Sequence, residues 1–429
     1  MSMRYKISEE LLERALKTIP LGSQTFSKSK TQLPFGVSPY FVDHAKGSHF
    51  WDVDGNEYID FVNGLACVTL GYCDPDVDRA VREQMENGVT FSLPHKLEME
   101  VAELLVEMIP CAQKVRFAKN GTDATSGAIR VARAHTGRDR VAVCGYHGWQ
   151  DWYIGSTTRD LGVPKAVKEL THVFNYNDID SLASVLEKHR GEFAAVILEP
   201  MNVAYPQDGF LEKVRDITQQ HGALLIFDET ITGFRYSKGG AQEEFGVTPD
   251  IATFGKGMAN GYPLSALVGK TQYMDVIDKI FFSGTFGGET LSLAAAKAVL
   301  TKLRQEPVIA TLKAQGQKII DSVNRIISDN ELEQVLNISG HPTWSFLLFK
   351  DFSPYSAWEI KTLFMQEMFE RGVYTIGTHN LSYAHNDSDI ETLLRSYGEV
   401  FQLIKGSIDN GTLKEHLKCE PLVPLFKVR

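Results

Sequence analysis

The sequence predicts an α/β protein, with a large domain built on a mostly parallel sheet and a smaller α+β domain. Three observations carry this reading. Short unbroken apolar runs, such as 141–144, 194–198 and 223–227, alternate with amphipathic helical stretches. A strand covered on both faces reads as such a run, whereas a half-exposed strand alternates. Turns holding polar and glycine residues follow these runs directly, where open α/β sheets bind their ligands. After about residue 306 the alternation gives way to longer helices with short strands between them.

Composition bounds the function. The chain has 429 residues and is 43% hydrophobic, enough for about two or three domains. Its net charge is −10 and no basic block occurs, which argues against nucleic acid and anionic membrane as partners. No apolar run approaches the ~18 residues that span a bilayer. The opening segment, MSMRYKISEELLERALKTIP, reads as an amphipathic helix without a signal core or cleavage site, so the expected location is the cytoplasm. The cysteines (67, 73, 111, 144 and 419) are scattered and form no CxxC, which suits a reducing compartment.

The elements follow in order. Residues 8–18 read as a helix, and 19–40, rich in Gly, Ser, Thr and Pro, as loop. Residues 40–42 and 49–51 read as hairpin strands around Lys46-Gly47, with a turn at 54–56. Helices are expected at 96–108, 123–135, 178–189, 210–221 and 291–305, and strands at 115–118, 141–144, 194–198 and 223–227. Further helices are expected at 308–329 and 357–371. The domain reading is 1–60 as an N-terminal segment packing with the small domain, 61–305 as the large domain, and 306–429 as the small domain.

The chemistry is concentrated at the strand ends. Asp228 closes the run Leu224–Phe227, and Lys256 follows 28 residues later between Phe254-Gly255 and Gly257-Met258. A desolvated lysine attacks carbonyls as the free amine. A carboxylate opposite it can hold a ring nitrogen. Together they fit pyridoxal phosphate (PLP), which carries an aldehyde on one side and a pyridine nitrogen on the other. Taken singly, Asp228 reads equally as a helix N-cap or a salt-bridge partner. Asn120-Gly121-Thr122 lies between a strand and a helix, where backbone N–H groups attract phosphate; an ordinary N-cap with a turn glycine looks the same. Tyr146, beside His147, offers a ring to stack on a cofactor or to pack in a core. Trp149 and Trp152 suit a substrate entrance or surface packing. Glu199 and Asn202 follow Leu198, Asn202 as a donor to a ring hydroxyl and Glu199 in support. Residues 283–288, SGTFGG, read as a turn or a second phosphate loop; neither this segment nor 254–257 is a Walker A sequence.

Together these residues resemble the class III aminotransferases of PLP fold type I, on the branch of glutamate-1-semialdehyde 2,1-aminomutase. The resemblance runs from about 10 to 400. It is strongest at WDVDGNEYIDF (51–61), NGTDA (120–124), the 137–148 stretch, LLIFDETITGFR (224–235) and FGVTPDIATFGKGMANGYPLSALVG (245–269). The resemblance implies a seven-stranded large-domain sheet and a small domain built from both chain ends. It implies that Lys256 is the Schiff-base lysine, Asp228 the pyridinium partner, Gly121 and Thr122 phosphate ligands, and Tyr146 the stacking ring. Asn120 stands where the family often has serine. Thr285 is implied to reach the phosphate of the neighbouring subunit in a homodimer. Two departures stand out. Ser23–Lys28 places Lys28 where the aminomutase carries an arginine for the substrate carboxylate, and lysine lacks the bidentate fork. Residues 377–380, with His379, form a shorter segment lacking a functional glutamate. These departures favour a transaminase, with glutamate as donor and a carbonyl acceptor such as a keto-sugar. Lys28, Trp149 and His379 are the expected substrate contacts, and no metal is expected. The alternatives are an aminomutase or another PLP-dependent reaction and, remotely, a non-catalytic binding protein on the same fold.

Overall fold

The fold was obtained as a computed structural model, which describes residues 3–424. The described chain divides into two units. One holds the residues up to Leu65, Thr69–Cys73 and the stretch from Ala310; the other holds Ala66–Val68 and Asp74–Ile309.

The larger unit is organised by a seven-stranded sheet: β1 (Lys114–Ala118), β2 (Arg140–Cys144), β3 (Thr171–Val173), β4 (Phe193–Leu198), β5 (Leu224–Asp228), β6 (Ile251–Phe254) and β7 (Ser265–Gly269). Their spatial order is β1-β7-β6-β5-β4-β2-β3. Pairing is parallel from β6 through β3, while β7 runs antiparallel to both β1 and β6. The central strands β4 and β5 are buried at every residue, which is why they read as continuous apolar runs. Strands β6 and β7 are short and interrupted by Gly, Ser and Thr, and the sequence pattern did not single them out. Helix α1 (Gly121–Thr136) buries Ala128, Ile129, Val131 and Ala132 in the core that also holds Val141, Val143, Ala195, Ile197 and Ile226. Its small residues let the helix lie close to the sheet. It ends at Gly137, whose φ of +67° is the left-handed C-terminal stop that glycine adopts at least cost. The helix Lys96–Met108 matches the expected span, and α2 (Thr290–Gln305) starts one residue early.

In the other unit, strands Val42–Lys46, His49–Asp52 and Glu57–Asp60 form an antiparallel meander, and Val373–Tyr374 adds to its edge in parallel. A second antiparallel sheet joins Leu336–His341, Trp344–Phe349 and Thr378–Asn380. The first helix runs Lys6–Ala15, two residues earlier than expected. The helix Asp387–Asp409 was not anticipated; it buries Ile390, Leu393, Tyr397, Val400, Phe401 and Ile404. Among the described residues, no helix is long and apolar enough to cross a membrane.

Candidate active site

The direction of the strands decides where the chemistry gathers. Strands β1, β2, β4, β5 and β6 share one sense, so their carboxyl ends lie along one edge of the sheet. The turns leaving that edge carry Asn120-Gly121-Thr122, Tyr146-His147, Glu199 with Asn202, Asp228 and Lys256.

Asp228, the last residue of β5, is almost fully buried and densely bonded. Its Oδ1 accepts from Thr230 Oγ1 (2.6 Å), Thr230 N (3.1 Å) and Thr253 Oγ1 (3.2 Å), and its Oδ2 accepts from His147 Nδ1 (2.9 Å). The other ring nitrogen of His147 donates to the Cys144 carbonyl at 3.1 Å. A carbonyl and a carboxylate are both acceptors, so the His147 ring is fixed between two acceptor groups. Burial pushes the Asp228 carboxyl up, but the hydrogen bond and charge of His147, with the bonds from Thr230, bring it net below the usual range. A carboxylate offers about four acceptor sites. Oδ1 is saturated, and Oδ2 retains a lone pair for a further cationic donor.

Lys256 follows β6 with φ of +40°, a left-handed conformation for a non-glycine residue, at the start of the short turn Lys256–Ala259. Such strain of about 1–3 kcal/mol gathers at functional positions. Its Nζ has no hydrogen-bond or ion-pair partner among the described residues. Burial lowers its pKa, while Asp228 and Glu199 act in the opposite sense. The result is an amine biased towards its neutral, nucleophilic form. Glu199 is buried and accepts from Tyr146 N (2.9 Å) and Asn202 Nδ2 (3.1 Å); burial and then Asp228 push its carboxyl up. Asn202 thus spends one N–H on Glu199 and keeps one.

The start of α1 is the anion-binding end. Asn120 N is taken by Asp123 Oδ2 at 2.8 Å in a capping box, and the Asn120 side chain is exposed. Gly121 N and Thr122 N have no partner among the described residues, and Thr122 Oγ1 is buried and unpartnered. Two free backbone donors and an orphaned hydroxyl at a helix N-terminus match a phosphate group. Ser265 Oγ donates to Asn120 O at 2.8 Å, tying this turn to β7. The residues present therefore fit PLP, with anion donors at Gly121-Thr122, an uncommitted amine at Lys256 and a buried carboxylate at Asp228.

The surroundings of the other expected residues differ. Tyr146 is half exposed, its ring edge-on to Tyr153 at 5.6 Å. Trp149 is exposed, whereas Trp152 is buried and donates from Nε1 to Ser126 Oγ (2.9 Å). Thr285 is exposed on its glycine loop. Lys28, in the other unit, lines a cavity of about 170 Å³ with Asp60, Tyr72, Phe50 and Tyr374. The expectation for His379 is corrected. It is fully buried, with Nδ1 against Ser345 Oγ (2.9 Å) and Nε2 against Tyr397 OH (2.7 Å), and burial lowers its pKa to about 3. With both nitrogens spent and no exposed surface, it is a core histidine, not a substrate contact. Sequence reasoning passed over Thr230 and Thr253, which hold Asp228. The DET step and the threonine in Ile251–Phe254 were the available signals.

The class-III aminotransferase family matches residues 33–384. The chain belongs to that family. Among curated proteins, it is similar to 3-aminobutyryl-CoA aminotransferase of Cloacimonas acidaminovorans (strain Evry), 36% identical over 92% of this chain and 98% of that one. It is also similar to glutamate-1-semialdehyde 2,1-aminomutase of Alkaliphilus oremlandii (strain OhILAs), 37% identical over 92% and 98%. Among solved structures, the PLP internal aldimine form of the FumI protein of Sphingopyxis sp. MTA144 superposes with a TM-score of 0.88 at 29% identity, covering 98% of this chain and 99% of that one. The class-III aminotransferase is a PLP-dependent transaminase on the fold the sheet order displays.

Proposed function

We propose that this class-III aminotransferase moves an amino group from glutamate to a carbonyl acceptor that lacks an α-carboxylate, with Lys256 as the catalytic amine. The observation that carries the reading is the pairing of an uncommitted, desolvated lysine with a buried Asp228–His147 pair beside an unfilled set of anion donors. Bound PLP supplies an aldehyde that captures amines and a ring that takes up the electrons released when a C–H bond breaks. Lys256 would be the residue that holds the cofactor through its Nζ, and its amine, biased towards the neutral form, would serve as the base and then the acid that moves the proton at the amine-bearing carbon. Asp228 Oδ2 would hold the ring nitrogen in its protonated form, and the His147 bond favours the ionised Asp228 that this needs. Gly121 N, Thr122 N and Thr122 Oγ1 would hold the phosphate, Tyr146 would stack on the ring, and Asn202 would offer its remaining N–H to the ring hydroxyl. The keto acid leaves before the acceptor binds, so the kinetics are ping-pong.

The acceptor reading rests on the resemblance, in which Lys28 stands where the aminomutase carries an arginine for the substrate carboxylate and Trp149 is a candidate substrate contact. A single ammonium in place of a bidentate guanidinium favours a polar acceptor, such as a keto-sugar, over an α-keto acid. The relative named for a CoA-bound substrate adds β-keto acyl-CoA to the classes to be screened. The reading includes a homodimer. Phe91, Leu93, Phe281 and Phe286 are exposed apolar side chains in the large unit, and Thr285 is exposed on its glycine loop, which leaves it accessible for the role in a second copy's phosphate site that the resemblance implies. Similarity to an aminomutase supports a second reading, in which the amino group moves within one molecule. Glutamate added to the yellow holoenzyme separates the two. The transaminase bleaches and releases one 2-oxoglutarate per site, and recovery of colour on adding keto-sugars or β-keto acyl-CoA identifies the acceptor. An aminomutase releases no stoichiometric 2-oxoglutarate, and a binding protein shows no spectral change.

A further inference from the structure

The glycine loop 283–288 is fastened at both ends by cations from β1, α1 and the turn between them, the turn that leads into the anion-binding residues. At its start, Arg116 of β1 donates from Nε (3.2 Å) and Nη2 (2.9 Å) to the Phe282 carbonyl, and Arg130 of α1 donates from Nη1 to the Phe281 carbonyl (2.9 Å). At its end, Lys119 Nζ pairs with Glu289 Oε2 at 2.9 Å. The Lys119–Glu289 pair is only 19% and 14% exposed, so water screens it less than it screens an open surface pair. Glu289 has a second task. Its carboxylate caps α2 through Leu291 N (2.6 Å), Ser292 N (3.3 Å) and Ser292 Oγ (2.6 Å). Lys119, in turn, immediately precedes Asn120-Gly121-Thr122. A cavity of about 410 Å³ lies between the two segments, lined by Lys119, Asp123, Arg130 and Thr285 among others.

We propose that Lys119 and Glu289 are positioning residues that lock the loop bearing Thr285 to the turn bearing Thr122, so that two anion-binding segments far apart in sequence behave as one rigid piece. Neither residue needs to touch a ligand. A loop of Gly, Ser and Thr with an exposed Phe286 has little packing to order it and would otherwise pay its ordering entropy on binding; anchors at both ends remove that cost beforehand. The structural part of the proposal stands on the contacts alone. Its consequence for PLP rests on the site reading above.

The test uses the full-length protein with Lys119→Met, Lys119→Arg and Glu289→Gln. Hydrogen exchange of the peptide covering 281–289 is read in the apoenzyme, and the PLP dissociation constant is read from its absorbance. Lock-and-loop coupling predicts about tenfold faster exchange in both Lys119→Met and Glu289→Gln, with Lys119→Arg close to wild type. It predicts PLP affinity about tenfold weaker in both charge-removing variants. A purely electrostatic role for Lys119 makes the opposite prediction for Glu289→Gln, because removing the acid leaves the cation unopposed and tightens phosphate binding. Unchanged exchange in both variants, or tighter PLP binding in Glu289→Gln, overturns the proposal. Faster exchange with unchanged PLP affinity keeps the lock and overturns the assignment of this loop to phosphate.

Discussion

Gly148 is the sharpest place to probe the anion end of the site. Its φ is +108°, and a Cβ built there lies 2.3 Å from Thr122 Oγ1, 2.6 Å from Thr122 Cβ and 3.1 Å from Thr122 Cα. The obstacle includes the start of α1 itself, so a side-chain rotation alone does not relieve it. Gly148→Ala therefore incurs a backbone cost of about 1–3 kcal/mol and an overpacking cost of about 1–3 kcal/mol. It also pushes the orphaned Thr122 hydroxyl off its position. Gly137→Ala is the matched control. Its φ is +67° with nothing within 4 Å of the new Cβ, so only the left-handed penalty of about 1–2 kcal/mol applies. The assays are the thermal midpoint of each apoenzyme and a PLP titration. Gly148→Ala should melt below Gly137→Ala and bind PLP at least about tenfold more weakly, a loss of about 1.4 kcal/mol. Gly137→Ala should bind PLP as wild type does. Equal melting losses together with intact PLP binding in Gly148→Ala would refute the placement of phosphate at Thr122.

Three further outcomes are expected. Thr122→Val removes the unpartnered hydroxyl while keeping its shape; PLP affinity should fall about five- to tenfold, about 1 kcal/mol, with apoenzyme stability unchanged or slightly raised because a buried orphan is lost. Asp228→Asn should reduce kcat about 10²–10³-fold, as loss of a buried electrostatic partner does, and half-reaction absorbance kinetics will measure it. His49 bridges Asp389 (3.0 Å) and Glu57 (2.8 Å) in the smaller unit, near the neutral His385, and its pKa is raised chiefly by the Asp389 hydrogen bond. The stabilisation from that raised pKa is fully present below the ordinary value near 6.5 and is lost as pH rises through the folded value. The melting gap between wild type and His49→Gln should accordingly be widest near pH 6, about 1 kcal/mol, and shrink towards pH 9; a gap that grows with pH would contradict the bridge.

The legible part of the chain was the part whose burial is local and periodic. Strands β4 and β5 announce themselves because both faces are covered. The helix Lys96–Met108 carries its buried face at Leu97, Val101 and Leu105. Asp228 and Lys256 stood out because a charge at the end of a buried strand is costly without a purpose. What escaped depends on distant partners. The antiparallel β7 is defined by pairing with β1, Ser265 against Ala118 and Gly269 against Lys114, a link between distant parts of the chain that no local pattern reports. The bond from His147 to Asp228 joins residues 81 positions apart, and the Lys119–Glu289 pair joins residues 170 apart. His379 misled because a polar residue in a shortened loop looks available in sequence, whereas Ser345 and Tyr397 satisfy it in the core.

The central claim is that the amine of Lys256 forms the covalent link to PLP. Borohydride reduction of the holoenzyme, followed by digestion and mass spectrometry, reads that link directly. The account predicts a pyridoxyl group on the peptide containing Lys256 and its absence in Lys256→Ala. A tag on another lysine, or none after saturation with PLP, would contradict it.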